Sequence, residues 1–362
     1  LTNCILWGNS PKEVQAYFTI GSDNFYYNTF TANYSNIEGG SENIDISSAD
    51  SLFYHSSNIN QDPAFVDAAN GDYHLSNYSP CIATGLDTST VPSIDLEGDI
   101  RPNPNGSNPD MGAYENERST RLPITWYVAT TGSNSNSGNA NSPYLSIQTA
   151  VDAASPYDTV FINSGTYSQA TITIDKSIVL IGDADDKPII TSDDDYIIQP
   201  YTGSVTNLTA KNLIFKSLPG SVENSVNGIG AFASVSYGNF IFCEFYNLNV
   251  AVWLPQSYVT ASNCVIKDCV IGLYFQNGLV TKTIIDNCST GIHKPYSATI
   301  TNIDSCIITN NGSIGVYSRG IVCNNSVIAH NNIGLHNHSN GDGQLLNNLF
   351  WDNDTDDDDI NG

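Results

Sequence analysis

Positive charge is the scarcest ingredient of this 362-residue chain: 12 Lys plus Arg stand against 37 Asp plus Glu, a formal net charge of −25. A surface so short of cations repels phosphate backbones and anionic lipid, which excludes nucleic acid as a partner. No apolar run approaches the roughly 20 residues that span a bilayer, so no transmembrane segment is expected. Leu1 follows no recognisable targeting segment, so the start reads as a cut through a longer chain. Eight cysteines are present, but none forms the CxxC pair usual in a zinc site. Six of them fall between Cys243 and Cys323, where they read as small buried fillers. Charged residues are only 14% of the chain and apolar residues 40%, with much of the rest Asn, Ser, Thr, Gly and Tyr. That is a β-rich, turn-rich composition.

What the chain does have is repetition. Gly272, Gly291, Gly315 and Gly334 each precede an apolar residue, at spacings of 19, 24 and 19. A period near 21 lies in the range of solenoid repeats. Alignment on these glycines produces columns. One is small: Cys243, Cys264, Thr283, Cys306 and Ser326. Two residues later comes an apolar one: Phe245, Ile266, Ile285, Ile308 and Ile328. Alternate residues of a strand share a face, so both columns should point into one core. Just beyond them lie Asn247, Asp268, Asn287, Asn310 and His330, a polar column at a bend, where side-chain amides are expected to hydrogen-bond from rung to rung. Strand-like alternation and abundant β-branched residues exclude helical repeats.

The expected fold is therefore all-β: parallel strands stacked about 4.8 Å apart in a solenoid, coiled right-handedly as parallel crossovers prefer. A stack needs a cap over its open end. In "NSPYLSIQTAVDAAS", Ser142 is expected as N-cap and Pro143 as the first helical residue, giving a capping helix over about residues 143–154. The stretch "WYVATTGSNSNSGNANSPYLSIQTAVDAASPYDTVFINSGTY" resembles the start of the pectate-lyase-like right-handed parallel β-helix proteins, with a strand, a polar loop, a capping helix and "GTY". Earlier, "NINQDPAFVDAANGDYHLSNYSPCIATG" and "DLEGDIRPNPNGSNPDMGAYE" are similar to the closing end of bacterial surface β-helix proteins. Arg101 sits there among Asp95, Glu97, Asp99, Asp110 and Glu115 and is expected to form a structural ion pair with one of them.

A closing cap thus precedes an opening one. Residues 1–118 read as the tail of one β-helix, 119–124 as a junction, and 125–362 as the head and body of the next. "LTNCILWGNS" at Leu1 and "LLNNLFWDND" at Leu345 share Leu, Asn, Trp and Asn at an offset of 344 residues, so they are expected to mark the same rung in two copies of a tandem unit.

One column carries candidate chemistry. Trp253, Tyr274, His293, Tyr317 and His336 each follow a core-facing residue and so should face outward as a strip of rings. Such rings suit carbohydrate, through apolar faces and polar edges. They equally suit a sheet that gains stability from cross-strand aromatic neighbours and binds nothing. Asp354, Asp356 and Asp358 alternate near the end and would converge on calcium if the segment looped; a solvated acidic turn is the competing reading, and no other cofactor is expected.

The resemblance leaves two functions open. One is a secreted or cell-surface stalk or adhesin, non-catalytic, with a polysaccharide or surface glycan and the neighbouring β-helix units of its own chain as partners. The other is a polysaccharide lyase or glycoside hydrolase, which would set Arg319 or Lys294 beside two or more acids. The chain has only four Arg and no clustered cations beside carboxylates.

Overall fold

The computed structural model describes residues 1–16, 29–46, 51–201, 207–218, 226–230, 237–294, 301–318, 320–337 and 344–358. Its contacts divide the chain into two compact units, Leu1–Ile124 and Thr125–Gly362.

The second unit is built by one motif repeated. Each turn lays down up to three strands, and each strand pairs in parallel with its counterpart one turn later. Sheet A runs from Thr159–Ile162 through Ile178–Gly182, Asn207–Lys211 and Tyr237–Ile241 to Gln344–Leu346. Sheet B is nine-stranded, from Thr166–Ser168 to Leu349–Trp351. Sheet C runs from Ile172–Ile174 to Thr355–Asp358. In two turns sheets C and A are joined by long strands that round the corner without a break, Val250–Ser262 and Ile271–Thr281.

The expected columns stand in register. Cys243, Cys264, Thr283, Cys306 and Ser326 are all at most 1% exposed, as are Phe245, Ile266, Ile285, Ile308 and Ile328. Ile266 pairs with Ile285, Ile285 with Ile308 and Ile308 with Ile328. Burying each such side chain contributes about 1.5–3 kcal/mol before the cost of ordering the chain. The small column also joins the turns: Cys264 N donates to Thr283 Oγ1 at 3.3 Å and Cys306 N to Ser326 Oγ at 3.1 Å. The reference glycines are required by close approach. A Cβ on Gly291 would sit 2.4 Å from the carbonyl oxygen of Gly315, closer than a carbon and an oxygen can pack.

The polar column works differently from the expectation. Asn247, Asp268, Asn287, Asn310 and His330 all have φ between 54° and 59°, so each forms a one-residue left-handed bend between sheets B and C. Asn and Asp tolerate that conformation best among residues with a side chain. A second bend, five residues earlier, leads from sheet A to sheet B at Phe242, Asn263, Lys282, Ser305 and Asn325. Within the bend column Asn287 Nδ2 donates to Asp268 Oδ1 at 2.6 Å, the expected type of contact, and His330 Nδ1 meets Asp352 Oδ2 at 3.1 Å. The continuous amide ladder lies one residue further on and is buried. Cys288 N donates to Asn311 Oδ1, Asn311 N and Nδ2 to Asn331 Oδ1, and Asn331 N and Nδ2 to Asn353 Oδ1, all at 2.8–3.0 Å. It satisfies backbone N–H groups that the bend withdraws from the sheet.

The capping helix is Ile147–Ala153, shorter than expected and starting later. Its N-cap is Ser146, whose hydroxyl accepts from Thr149 N, and not Ser142. Ser142 instead closes a turn with Asn139, because Pro143 and Tyr144 are held extended against Tyr127 and Ala129. Ile147, Ala150 and Val151 bury against the first turns.

The first unit repeats the same device on a smaller scale. Its left-handed pairs are Asn3 with Gly8 and Tyr34 with Gly39, again five residues apart, matching Asn347 with Asp352. Cys4 N donates to Ser35 Oγ and Ser35 N to Asn58 Oδ1, which is the pattern of Cys306, Ser326 and Asn348. "LTNCILWGNS" and "LLNNLFWDND" therefore bend at the same two places. A cap follows, with the antiparallel hairpin Phe65–Asp67 and Asp72–Leu75. There Arg101 pairs with Glu115, Nε to Oε1 at 2.8 Å, and its Nη2 donates to Gly112 O. The other acids of the motif cap backbone: Asp95 accepts from the N–H groups of Glu97, Asp99 and Glu115, and Asp110 from those of Ala83 and Asn116.

Candidate functional site

The outward ring column lies on sheet C. Trp253 pairs with Tyr274, Tyr274 with His293, His293 with Tyr317 and Tyr317 with His336, so strand register alone places all five sequence-derived candidates in one line. Their predecessors Val252, Leu273, Ile292, Val316 and Leu335 are buried, at most 1% exposed. That alternation makes the rings the outer layer of the sheet.

The rings turn their faces to one another. Tyr274 and His293 stack at 4.9 Å and 12°, His293 and Tyr317 at 4.8 Å and 24°, Tyr317 and His336 at 5.1 Å and 4°. Tyr196 stacks on Trp253 at 6.3 Å and 11°, adding a ring that the column alignment did not include. Tyr196 stands outside the column: register sets Gly230 beside Trp253 and Asn227 beside Tyr196, and the Tyr196 ring reaches over Gly230, which has no side chain. The spacing within the column follows from the strand spacing: rings of one rotamer on adjacent strands meet face to face at about 4.8 Å. The five column rings are half-buried and Tyr196 is buried. What the ladder presents outward is ring edges, with phenol hydroxyls and imidazole nitrogens along them. Burial also disfavours the imidazolium and lowers the pKa of His293, so the ladder is uncharged there near neutral pH.

Lys294, next to His293, does not line a groove. It is fully buried, with Nζ donating to Gly320 O at 3.3 Å, and burial lowers its pKa to about 8. It follows an outward residue on its strand and so points inward. The expectation that it stands beside acids in an open site is corrected accordingly. Arg319 lies outside the described residues.

Of the calcium candidates, Asp354 is described and donates its backbone N–H to Asn331 O. The backbone after it, Thr355–Asp358, is a strand paired with Ile333–Asn337 rather than a loop. The side chains of Asp356 and Asp358 lie outside the described residues. Among the described residues no group of three or more His, Cys, Asp or Glu is placed to hold a metal ion. Among the described residues no helix is long and apolar enough to cross a membrane.

No protein-family model matches the sequence, and no curated protein matches it. Solved structures do. Pectin methylesterase from Aspergillus niger is 17% identical with a TM-score of 0.46, over 66% of this chain and 90% of that one. A pectate lyase is 15% identical with a TM-score of 0.46, over 65% and 78%. A rhamnogalacturonan lyase is 12% identical with a TM-score of 0.36, over 62% and 87%. All three are pectate-lyase-like parallel β-helices. The strand register, the glycine stack and the paired left-handed bends establish the same architecture from the chain's own residues. This chain is a right-handed parallel β-helix.

Proposed function

We propose that the chain is part of a secreted or cell-surface protein of tandem β-helices, a non-catalytic stalk and adhesin that contacts a glycan along the ring ladder of sheet C. One observation supports this reading above others: five rings, Trp253, Tyr274, His293, Tyr317 and His336, repeat at strand spacing on an outer face. A linear array of equally spaced hydroxyl and imidazole edges matches a linear chain of sugar hydroxyls better than it matches a compact ligand. Catalysis would need an acid and a base flanking a bond, and among the described residues the ladder sets no such pair beside the rings. Among the described residues the cation next to the ladder, Lys294, is buried and hydrogen-bonded to backbone.

The test is retention on a glycan array. Trp253→Ala and Tyr274→Ala should fold as the parent does and lose retention; unchanged retention, or none by the parent, removes the ladder from the reading. A panel of acidic polysaccharides separates stalk from lyase. Appearance of unsaturated product that vanishes in Arg319→Ala would replace the stalk with an enzyme.

A further inference from the structure

The first unit holds a cleft that the ladder lacks. Its volume is about 600 Å³, and its walls include Trp7, Phe65, Tyr73, Leu96 and Tyr114. One wall is the outer face of the rung that carries Ile5 and Trp7; the other is the cap hairpin and the strap through Gly112. The strap is pinned tightly. Gly112 N donates to Asn3 O, Met111 N to Cys81 O and Leu96 N to Ala113 O. Asn3 in turn exchanges two hydrogen bonds with Leu86, at 2.7 and 2.9 Å. The buried Arg101–Glu115 pair lies directly behind. The cleft is thus a preformed space between fixed walls.

Its rings are disposed unlike those of sheet C. Phe65 and Tyr73 meet edge to face at 5.3 Å and 85°, and Tyr114 spends one face on His74 at 4.1 Å. Trp7 stacks on no ring among the described residues, so its indole face is available. Tyr73 is 51% exposed and Leu96 71% exposed, values that two large apolar groups keep at a surface only at some cost in water ordering. Among the described residues, the indole N–H of Trp7 and the hydroxyls of Tyr73 and Tyr114 have no hydrogen-bond partner. Open ring faces and unpaired polar edges around one cavity are what a pyranose ring needs, since it has an apolar face and a hydroxyl rim.

Charge selects among sugars. None of the residues lining the cleft is basic. Glu97 and Asp72, next in the chain to the lining residues Leu96 and Tyr73, both engage the imidazole of His74, whose ring stacks on Tyr114. Two carboxylates share one imidazole there, so a uronate carboxylate would meet net negative charge and no basic residue in the lining. A neutral sugar carries no charge to be repelled. We infer that this cleft is a second carbohydrate site and that it takes a neutral pyranose unit of a glycan, not a uronate. The inference deepens the glycan-contact reading by naming the substrate class, but it stands on other residues in another unit.

The experiment is isothermal titration of the full chain with β-1,4-linked neutral hexasaccharides of glucose, mannose and xylose, beside oligogalacturonate of the same length. At least one neutral hexasaccharide should bind saturably and oligogalacturonate should not. Trp7→Ala and Tyr73→Ala should each weaken that binding by about tenfold or more, while Tyr78→Ala, at an exposed ring of the same unit outside the cleft, leaves it unchanged. Tyr73 is half-exposed, so its replacement keeps the assay interpretable if the Trp7 variant is poorly folded. Loss in Tyr274→Ala with none in the cleft variants would overturn the cleft and keep the ladder; loss in the cleft variants supports the cleft and leaves the ladder to its own retention test. Equal binding of oligogalacturonate, or no binding of any neutral sugar, overturns the inference outright.

Discussion

The two units bury polar groups in opposite ways. In Thr125–Gly362 the buried polar side chains are mostly neutral and repeated: the small column of Cys264, Thr283, Cys306 and Ser326, and the amide ladder Asn311, Asn331 and Asn353. In Leu1–Ile124 the cap buries, beside neutral groups such as Ser79, an ionisable set that no other turn repeats: Arg101, Asp110 and Glu115. Repetition explains the difference. Where one turn stacks on another, each amide finds an identical partner one strand away. A cap ends the repeat, so its backbone donors point in unrelated directions and a carboxylate, which accepts from several N–H groups at once, satisfies them best.

The largest expected effect follows from that contrast. Arg101→Met leaves the Glu115 carboxylate, whose side chain is fully buried, without its partner. Removing one partner of a buried pair costs about 3–5 kcal/mol. Calorimetry should show the transition of the first unit lowered and that of the second unchanged. The double variant Arg101→Met with Glu115→Gln should recover part of the loss. A second-unit transition that falls equally would mean that the two units unfold as one.

The reciprocal change belongs to the core of the second unit. Ile285→Ala empties a fully buried position packed between Ile266 and Ile308 and should cost about 2–5 kcal/mol there alone. Its neighbours are held by hydrogen bonds above and below, so the site has little freedom to collapse, which places the expectation toward the upper end.

The repeats of the second unit were legible because each column recurs four or five times, and recurrence separates a core position from chance. The small column, the isoleucine column and the ring strip all came from alignment on four glycines. The amide ladder was displaced by one residue in that reading. Asn310 and Asn311 are adjacent, and sequence does not say which one takes the left-handed bend and which turns inward. The helix start was placed four residues early because Ser142–Pro143 imitates a cap, while tertiary pairing of Tyr144 with Tyr127 holds that stretch extended. That the ladder rings stack on one another needed the rotamers. The cleft was not legible, since Phe65, Tyr73 and Tyr114 belong to no shared period and are brought to Trp7, a repeat residue, by the cap's own path.

A smaller effect separates neutral ladder from charged cap. Asn331→Ala removes the acceptor for the N–H and side-chain amide of Asn311 and the Nδ2 donor to Asn353 Oδ1, while the backbone N–H of residue 331 still donates there. Leaving buried donors unsatisfied costs about 1–3 kcal/mol. Asn331→Asp should recover little, because a carboxylate accepts but cannot donate onward to Asn353. Hydrogen exchange should show the loss confined to the turns around residues 308–331; loss spread over the whole solenoid would mean the ladder sets global rather than local stability.

The smallest effect is a difference of sign. In the first unit burial raises the pKa of Asp110 to about 7 and that of Glu115 as well. The folded unit then holds protons that the unfolded chain has released, so this contribution is full below the ordinary carboxylate range and is lost as pH rises toward 7. His74, raised by Asp72 and Glu97, acts in the same direction more weakly because it is solvent-exposed. In the second unit burial lowers the pKa of His293, and that contribution is full above the ordinary histidine value and lost as pH falls below it. Between pH 5 and pH 8 the melting temperature of the first unit should therefore fall relative to that of the second. Asp110→Asn should flatten the first slope and His293→Phe the second, each without touching the other. Parallel slopes that neither substitution changes would attribute the pH dependence to the overall negative charge, which acts on both units alike, and would remove buried ionisation as the property that distinguishes cap from repeat.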